Sequence, residues 1–367
     1  MKKTFLNLII VIIIFIILFP FGLYFGSKFY NKRYHTFWSK QPVSFFYTLK
    51  FSNGIINSSR PPPPIKDDSY SLEYFSSEDN KIEEIVNLMN NNYSVSTNCT
   101  YHYDKEYLDW MVNNENKERI NLYLSEDNKI IGCITARPTT IILKKEKLRC
   151  LYVDNLCVEK SYRSKGLAPI LISHMSNYGF DKGYNLFIYQ KEGYQLPYRS
   201  ISVSENIIYQ LQKYNLGKYE LSTLDDNNLK QVYDFYNNHY QSKDNYIEYS
   251  FTEFDHYFKN QWVTTYVEFK NNQIINLIVT QDNKYKINGQ RVIEIPYMII
   301  QSDPNNLFVK KIFNKCLENG YSLVCNKNQD NKYYFSDLKK NNSFNTFIYM
   351  YNYHLVSPVN EHNLFFF

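Results

Sequence analysis

Arg163, Ser164, Lys165 and Gly166 stand together, followed by Leu167, Ala168 and Pro169, an R-x-x-G-x-A arrangement. Glycine lets backbone come close to a ligand, and a helix opening near Leu167 offers first-turn N–H groups that have no partner inside the helix. With Arg163 and Lys165 adding charge, such a turn can cradle a pyrophosphate. The same residues also make an ordinary strand-to-helix turn with a solvated basic edge, and alone they do not choose between the two. Cys157, just upstream, raises the question of a thiolate nucleophile. No histidine lies near it in sequence, and a cysteine within a strand reads as an inert core thiol. The six cysteines (99, 133, 150, 157, 316 and 325) form no C-x-x-C pair, and the seven histidines form no H-E-x-x-H. A disulfide scaffold, a zinc site and metal catalysis are therefore not expected, and a reducing compartment is the default.

The elements that must position this loop can be read from hydrophobic period. A β-like run over 151–158 leads into the loop, and a helix and a further strand (185–189) follow it. Upstream, Ile82, Ile85, Val86, Leu88 and Met89 give 81–91 the apolar face of an amphipathic helix. Residues 94–101 read as a polar loop, 107–112 as a short helix, 121–124 with 130–136 as a hairpin, and 140–143 as a strand. The same strand, polar turn and strand recur over 262–281, after a helix over 229–239. A strand at 292–300, a helix at 306–318 and a strand at 323–326 follow. The pattern predicts an α/β (α+β) chain of two related halves, 68–215 and 216–367. Only the first half carries R-x-x-G-x-A, so one anion site is expected.

At 367 residues, with aromatics at 18%, the chain has ample core material. The net charge of +5 is scattered and forms no basic stripe, so nucleic acid is not an expected partner. Thr4 to Ser27 carries no charge, and its length suits a bilayer-crossing helix. Residues 1–27 are thus expected to be a single-pass membrane anchor rather than a cleaved signal peptide. Lys28, Lys32, Arg33 and Lys40 beyond it tip the body toward the cytoplasm. The four prolines at 61–64 impose polyproline II, so 28–67 reads as an arm and spacer.

The motifs, taken in order, resemble the N-myristoyltransferase family, and the strand–R-x-x-G-x-A–helix unit resembles the acyl-CoA signature of the wider N-acetyltransferase (GNAT) fold. Phe37 to Val43 (FWSKQPV) is similar to the family's F-W-x-T-Q-P-V arm. Leu88 to Tyr93 (LMNNNY) resembles L-L-N-E-N-Y, and Tyr103 to Trp110 resembles F-D-Y-S-x-E-F-L-x-W. Asn155 to Lys160 (NLCVEK) and Arg163 to Ile172 (RSKGLAPILI) are similar to F-L-C-V-H-K and R-S-K-R-L-A-P-V-L-I. Leu196-Pro197 and Tyr351 to Tyr353 fall in the family's order. The resemblance runs from about residue 35 to the end and implies two tandem GNAT-like halves with a pseudo-twofold relation.

It also implies a chemistry: transfer of a myristoyl group from CoA to an N-terminal glycine amine, with acyl-CoA as co-substrate and no other cofactor. The resemblance assigns the CoA and acyl contacts to Phe37, Trp38, Leu156, Cys157, Val158, Arg163, Ser164, Lys165, Gly166, Leu167, Ala168 and Pro169. It assigns an oxyanion hole to the backbone N–H groups of Asn155 and Leu156, each donor worth about 3 kcal/mol of barrier. The base is the α-carboxylate of Phe367. An α-carboxyl has a pKa of roughly 3.5 against about 8 for the amine it serves, and burial narrows that gap. Tyr93, Asp154, Tyr189 and Gln190 stand at acceptor-binding positions.

The departures gather on the acceptor side. Asp154 replaces an asparagine, and Tyr189 to Gly193 (YQKEG) carries one residue more than Y-T-A-G. Glu159 replaces a histidine, residues 94–98 lack the family's acidic charge, and Lys339 to Asn345 replaces a glycine-rich loop. Two further expectations follow: acylation of a different amine, or a membrane-tethered protein that binds acyl-CoA without catalysis.

Overall fold

The computed structural model describes residues 2–48, 50–76, 81–93, 98–112, 119–327, 329–359 and 364, with no side chains described for 2–17, 329 or 330. Its centre is a continuous mixed sheet. Along the main path the strands run Ser71–Tyr74, Ile120–Glu126, Lys129–Leu143, Glu146–Val158, Phe187–Glu192, Lys339–Tyr351, Ser202–Gln210, Leu323–Asn326, Gln290–Ile300, Gln273–Gln281, Val263–Lys270 and Ser222–Thr223. Two neighbouring pairs in this path are parallel, Glu146–Val158 with Phe187–Glu192 and Gln290–Ile300 with Leu323–Asn326. Each pair is joined through a helix, Leu167–Asp181 in the first case and Leu307–Glu318 in the second. A parallel pair needs such a crossover, because no tight turn can join two strands running the same way. Between the pairs, Lys339–Tyr351 bonds to both Phe187–Glu192 and Ser202–Gln210.

Most of the expected elements are present. The helix Lys81–Asn92 buries Ile82, Ile85, Val86, Leu88 and Met89, the face its periodicity predicts. The second hairpin is Val263–Lys270 with Gln273–Gln281. Three differences have physical causes. The strand expected at 140–143 is the end of one long strand, Lys129–Leu143, which Pro138 does not interrupt because proline forfeits only its own N–H. Cys99–Tyr101, expected as loop, pairs with Tyr285–Ile287, a contact between distant parts of the chain that local polarity does not reveal. The stretch 202–210 alternates buried and exposed residues as a strand should, yet its serines, glutamate and asparagine mask the apolar period.

The N-terminal helix spans Lys2–Tyr34 and passes through Lys28, Lys32 and Arg33. Among the described residues no helix is long and apolar enough to cross a membrane, so the fold gives the anchor expected at 1–27 no support. The proline run is also not a free spacer. Arg60 makes a two-pronged ion pair with Asp181 at 2.6 and 2.9 Å and donates to Asn177, whose amide donates to the Pro62 carbonyl at 2.9 Å. The Ile65 N–H donates to Ser173 Oγ at 3.0 Å. Polyproline II leaves its carbonyls unpaired along its length, so it can strap a helix that presents amide and hydroxyl groups.

That helix lies unusually close to the sheet. A Cβ at Gly179 would meet the Phe187 ring at 2.7 Å and Leu151 Cδ1 at 2.9 Å. Gly179→Ala is expected to cost ~1–3 kcal/mol through overpacking, read as a lower urea midpoint; an unchanged midpoint would show that the helix does not need this approach.

Candidate active site

The strand Glu146–Val158 breaks where the motif residues begin. Its ladder with Lys129–Leu143 pairs Cys157 with Cys133 and Asp154 with Thr135, leaving Asn155 and Leu156 together opposite Ile134. Asn155 takes a positive φ of 52°, the left-handed conformation that asparagine tolerates better than most side chains. The result is a β-bulge that turns backbone out of the sheet. On the other side, the parallel ladder with Phe187–Glu192 ends at Val153 and Tyr189, although both strands run on. The sheet therefore splays, with Asp154 to Val158 on one arm and Gln190 to Glu192 on the other.

The splay opens into a cavity of about 630 Å³, within the size range of small-molecule sites. Trp38, Tyr93, Asp154, Asn155, Leu156, Cys157, Val158, Arg163, Ala168, Tyr189 and Gln190 all line it, so most of the residues expected from sequence meet in one place. Ile134, Val153, Ile172, Met175 and Phe187 give it an apolar stretch. Phe37, Ser164, Lys165, Gly166, Leu167 and Pro169 are not on its wall. Phe37 packs edge-on against Trp38, and Ser164 to Pro169 form the turn and first residues of the helix Leu167–Asp181. Phe367 lies outside the described residues, as do 94–97; Leu364 is buried in the core.

The arm is fixed by the strand that follows Lys339. Trp38 tilts against Tyr198, Tyr351 Oη donates to Gln41 Oε1 at 2.9 Å, and the Asn352 N–H donates to the Pro42 carbonyl at 2.8 Å. The helix beyond the loop starts from Gly166 with φ 87° and has no side-chain cap, so its first-turn N–H groups are left for a ligand or solvent. Arg163 is less available than its sequence position implies: its Nη2 donates to the Asn92 carbonyl at 2.6 Å and its Nε to Val158 O at 3.4 Å. It seals the C-terminal end of the helix Lys81–Asn92 beside the loop. Lys165 Nζ sits 4.3 Å from the Tyr162 ring centre.

Residues 58–192 match the family described as myristoyl-CoA:protein N-myristoyltransferase, N-terminal domain. Over that stretch the chain is similar to the N-myristoyltransferase family. The glycylpeptide N-tetradecanoyltransferase of Kluyveromyces lactis is 29% identical over 154 residues, 39% of this chain and 34% of that protein. The alignment thus spans about a third of that relative's length. A putative enzyme of the same name from Melanoplus sanguinipes entomopoxvirus is 23% identical over 79% of this chain and 98% of its own. A Saccharomyces cerevisiae N-myristoyltransferase structure with bound myristoyl-CoA and inhibitors superimposes with a TM-score of 0.76 at 19% identity, covering 93% of this chain and 96% of that one. The mixed α/β architecture is therefore the N-myristoyltransferase fold.

Two features of the cavity depart from what the sequence motifs imply. The Asn155 N–H, expected to face an oxyanion, donates to Asp154 Oδ1 at 2.8 Å. Burial pushes the Asp154 carboxyl up, while that N–H and the cations of Arg137 and Lys327 draw it down. The second feature is a set of charges that motif reading missed: Glu192, Glu294 and Lys327 all line the cavity. Lys327 and Glu294 form a buried pair at 2.5 Å, with side chains 13% and 3% exposed. Asn283 also donates to Glu294 and accepts from Tyr107. The available signal was Glu294 itself, a lone charge inside the otherwise apolar run 292–300.

All six cysteines are free and buried, and burial raises the Cys157 thiol to about 12, which suits an inert thiol. Among the described residues no cluster of His, Cys, Asp or Glu could hold a metal ion.

Removing one member of a buried ion pair strands the other in low dielectric. Lys327→Met is expected to cost ~3–5 kcal/mol, and adding Glu294→Gln should recover at least half. Equal midpoints for single and double variants in urea unfolding would contradict this.

Proposed function

We propose that the chain is a glycylpeptide N-tetradecanoyltransferase-like acyltransferase, moving a myristoyl group from CoA to the amine of an N-terminal glycine. The observation that carries this reading is the splayed strand pair: a bulged strand beside an uncapped helix N-terminus, opening into a partly apolar cavity. In this reading the backbone of Arg163 to Ala168 holds the CoA phosphates, and Phe37 and Trp38 close over the CoA end. The acyl chain occupies the stretch between Ile172, Met175 and Phe187, gaining about 0.8 kcal/mol per buried CH₂. The Leu156 N–H faces the thioester oxygen. Asn155 joins it only when its N–H exchanges the Asp154 carboxylate for the developing oxyanion.

Further support comes from the names of the relatives and from the yeast structures, solved with myristoyl-CoA. The two crossover-linked parallel pairs support a division into a CoA-binding half, 68–215, and an acceptor-binding half, 216–367, after the arm at 28–67. Attachment to a membrane through residues 1–27 rests on the uncharged run 4–27 alone, and pelleting of the full chain with vesicles checks it. A second reading, acylation of a different amine, is favoured by the carboxylates at 154 and 192 in the cavity wall, Glu294 being already paired with Lys327.

Labelled myristoyl-CoA and a panel of primary amines test both. Product with N-terminal-glycine peptides, and none with their N-acetylated forms, is the expected result. Product only with lysine side chains or small amines favours the second reading. Bound acyl-CoA with no product from any acceptor would contradict both.

A further inference from the structure

One carboxylate on the cavity wall has no counter-charge. Glu192 lies three residues beyond Tyr189, where the parallel ladder with Glu146–Val158 stops, and it stands opposite Thr346 in the ladder that continues on its other side. Strand alternation puts it on the face of Ile188 and Gln190, and Ile188 packs in the core that takes in Tyr103 and Tyr107. The two lysines whose charge acts on it are both engaged. Lys327 pairs with Glu294 at 2.5 Å, and Lys191 Nζ rests 3.7 Å from the Tyr194 ring centre. Among the described residues no ion pair and no hydrogen bond forms at the Glu192 carboxylate, although Glu192 lines the cavity.

A second, independent observation comes from another part of the same wall. Tyr285 lines the cavity and is 6% exposed. Its hydroxyl has the Cys325 thiol beside it, a poor partner, and is buried without a hydrogen bond among the described residues. Polar atoms left unpaired at such depth are uncommon. The charges of Glu192 and Glu294 both act on that hydroxyl. Its ring tilts against Tyr101 with centres 5.7 Å apart, and Tyr101 meets Tyr93 edge-on at 5.3 Å. A lone carboxylate, an idle phenol oxygen and aromatic faces are together what recognises an organic cation.

Resting on the acyltransferase reading above, we propose that Glu192, with the hydroxyl of Tyr285 and the ring of Tyr101, binds the cationic side chain of a lysine or arginine that directly follows the acceptor's terminal glycine. The reacting amine is a poorer occupant. It has to meet the thioester at the bulge, and a buried carboxylate gripping it would hold on the proton it must lose. Paired strands lie about 4.8 Å apart, and the two arms diverge beyond Tyr189. A side chain one residue on, with the four-carbon stem of a lysine, crosses from the bulge to Glu192. Burial raises the Glu192 carboxyl to about 7, with Glu294 and Asp154 adding to the rise and Lys327 and Lys191 opposing it. A bound cation supplies the opposite charge that the wall itself withholds.

The test is kcat and KM for three peptides alike except after the glycine, where they carry lysine, N-acetyl-lysine or glutamate. Wild type, Glu192→Gln and Glu192→Asp are compared, and the acylated atom is located by mass spectrometry. For wild type the lysine peptide should exceed the acetyl-lysine peptide by ~30-fold in kcat/KM, through KM more than kcat. Glutamate should be poorer still, and the acyl group should sit on the glycine nitrogen. Glu192→Gln should lose most of the lysine advantage and Glu192→Asp should keep part of it; if neither variant folds, the wild-type ratio decides. Equal values for the lysine and acetyl-lysine peptides overturn the proposal, as does a lysine advantage that survives Glu192→Gln in full. Acylation of the lysine side chain overturns it in favour of the second reading. No product from any peptide overturns the acyltransferase reading, and this proposal with it.

Discussion

One break in one strand governs the site. Asn155 and Leu156 are accommodated opposite a single residue, Ile134, and the strand pays with a positive φ at Asn155. A regular strand here would continue both ladders, the parallel partner would stay paired past Tyr189, and there would be no cleft. The bulge is supported from several directions. Asn155 Nδ2 donates to Thr135 Oγ1 at 3.0 Å, Cys133 Sγ lies 3.4 Å from the Asn155 carbonyl, and Asp154 accepts the Asn155 N–H. Each group satisfies a main-chain or side-chain polar atom that the broken ladder would leave buried and unpaired.

What surrounds the bulge follows from holding it open. The helix Leu167–Asp181 must lie close enough to bring its uncapped end to the cavity, hence Gly179 against Phe187. The polyproline segment straps the outer side of that helix through Arg60 and Asn177. Lys339–Tyr351 bonds to the short arm of the splay and to Ser202–Gln210, so both sides of the cleft are tied into one sheet. The buried Lys327–Glu294 pair sits on the wall this sheet forms. Such a pair contributes little net stability against an apolar substitute; what it contributes here is a fixed charge environment for the carboxylates nearby.

Much of this was legible in the sequence because its signals are local. The apolar face of 81–92, the glycine and basic residues at 163–166, and the aromatic arm at 37–38 each announce a role within a few residues. The bulge was legible only through family resemblance, since Asn155 and Leu156 in a strand look unremarkable alone. The charged wall was not legible by motif: Glu192 lies more than a hundred residues before Glu294 and Lys327 in the chain, and only the sheet order brings the three to one cavity. Ser202–Gln210 was missed because its buried serines and asparagine break the apolar alternation. The uncharged run at 4–27 is a strong local signal to which the described fold gives no support.

The central claim, that the splay at the bulge is where a thioester and an amine meet, is tested most directly by a crystal structure with a non-reactive thioether analogue of myristoyl-CoA. The account predicts phosphates against the backbone of Arg163 to Ala168, the chain beside Ile172 and Met175, and the carbonyl-equivalent carbon within hydrogen-bond reach of the Leu156 N–H. An analogue bound with its reactive carbon away from the bulge, or outside the cavity altogether, would contradict it.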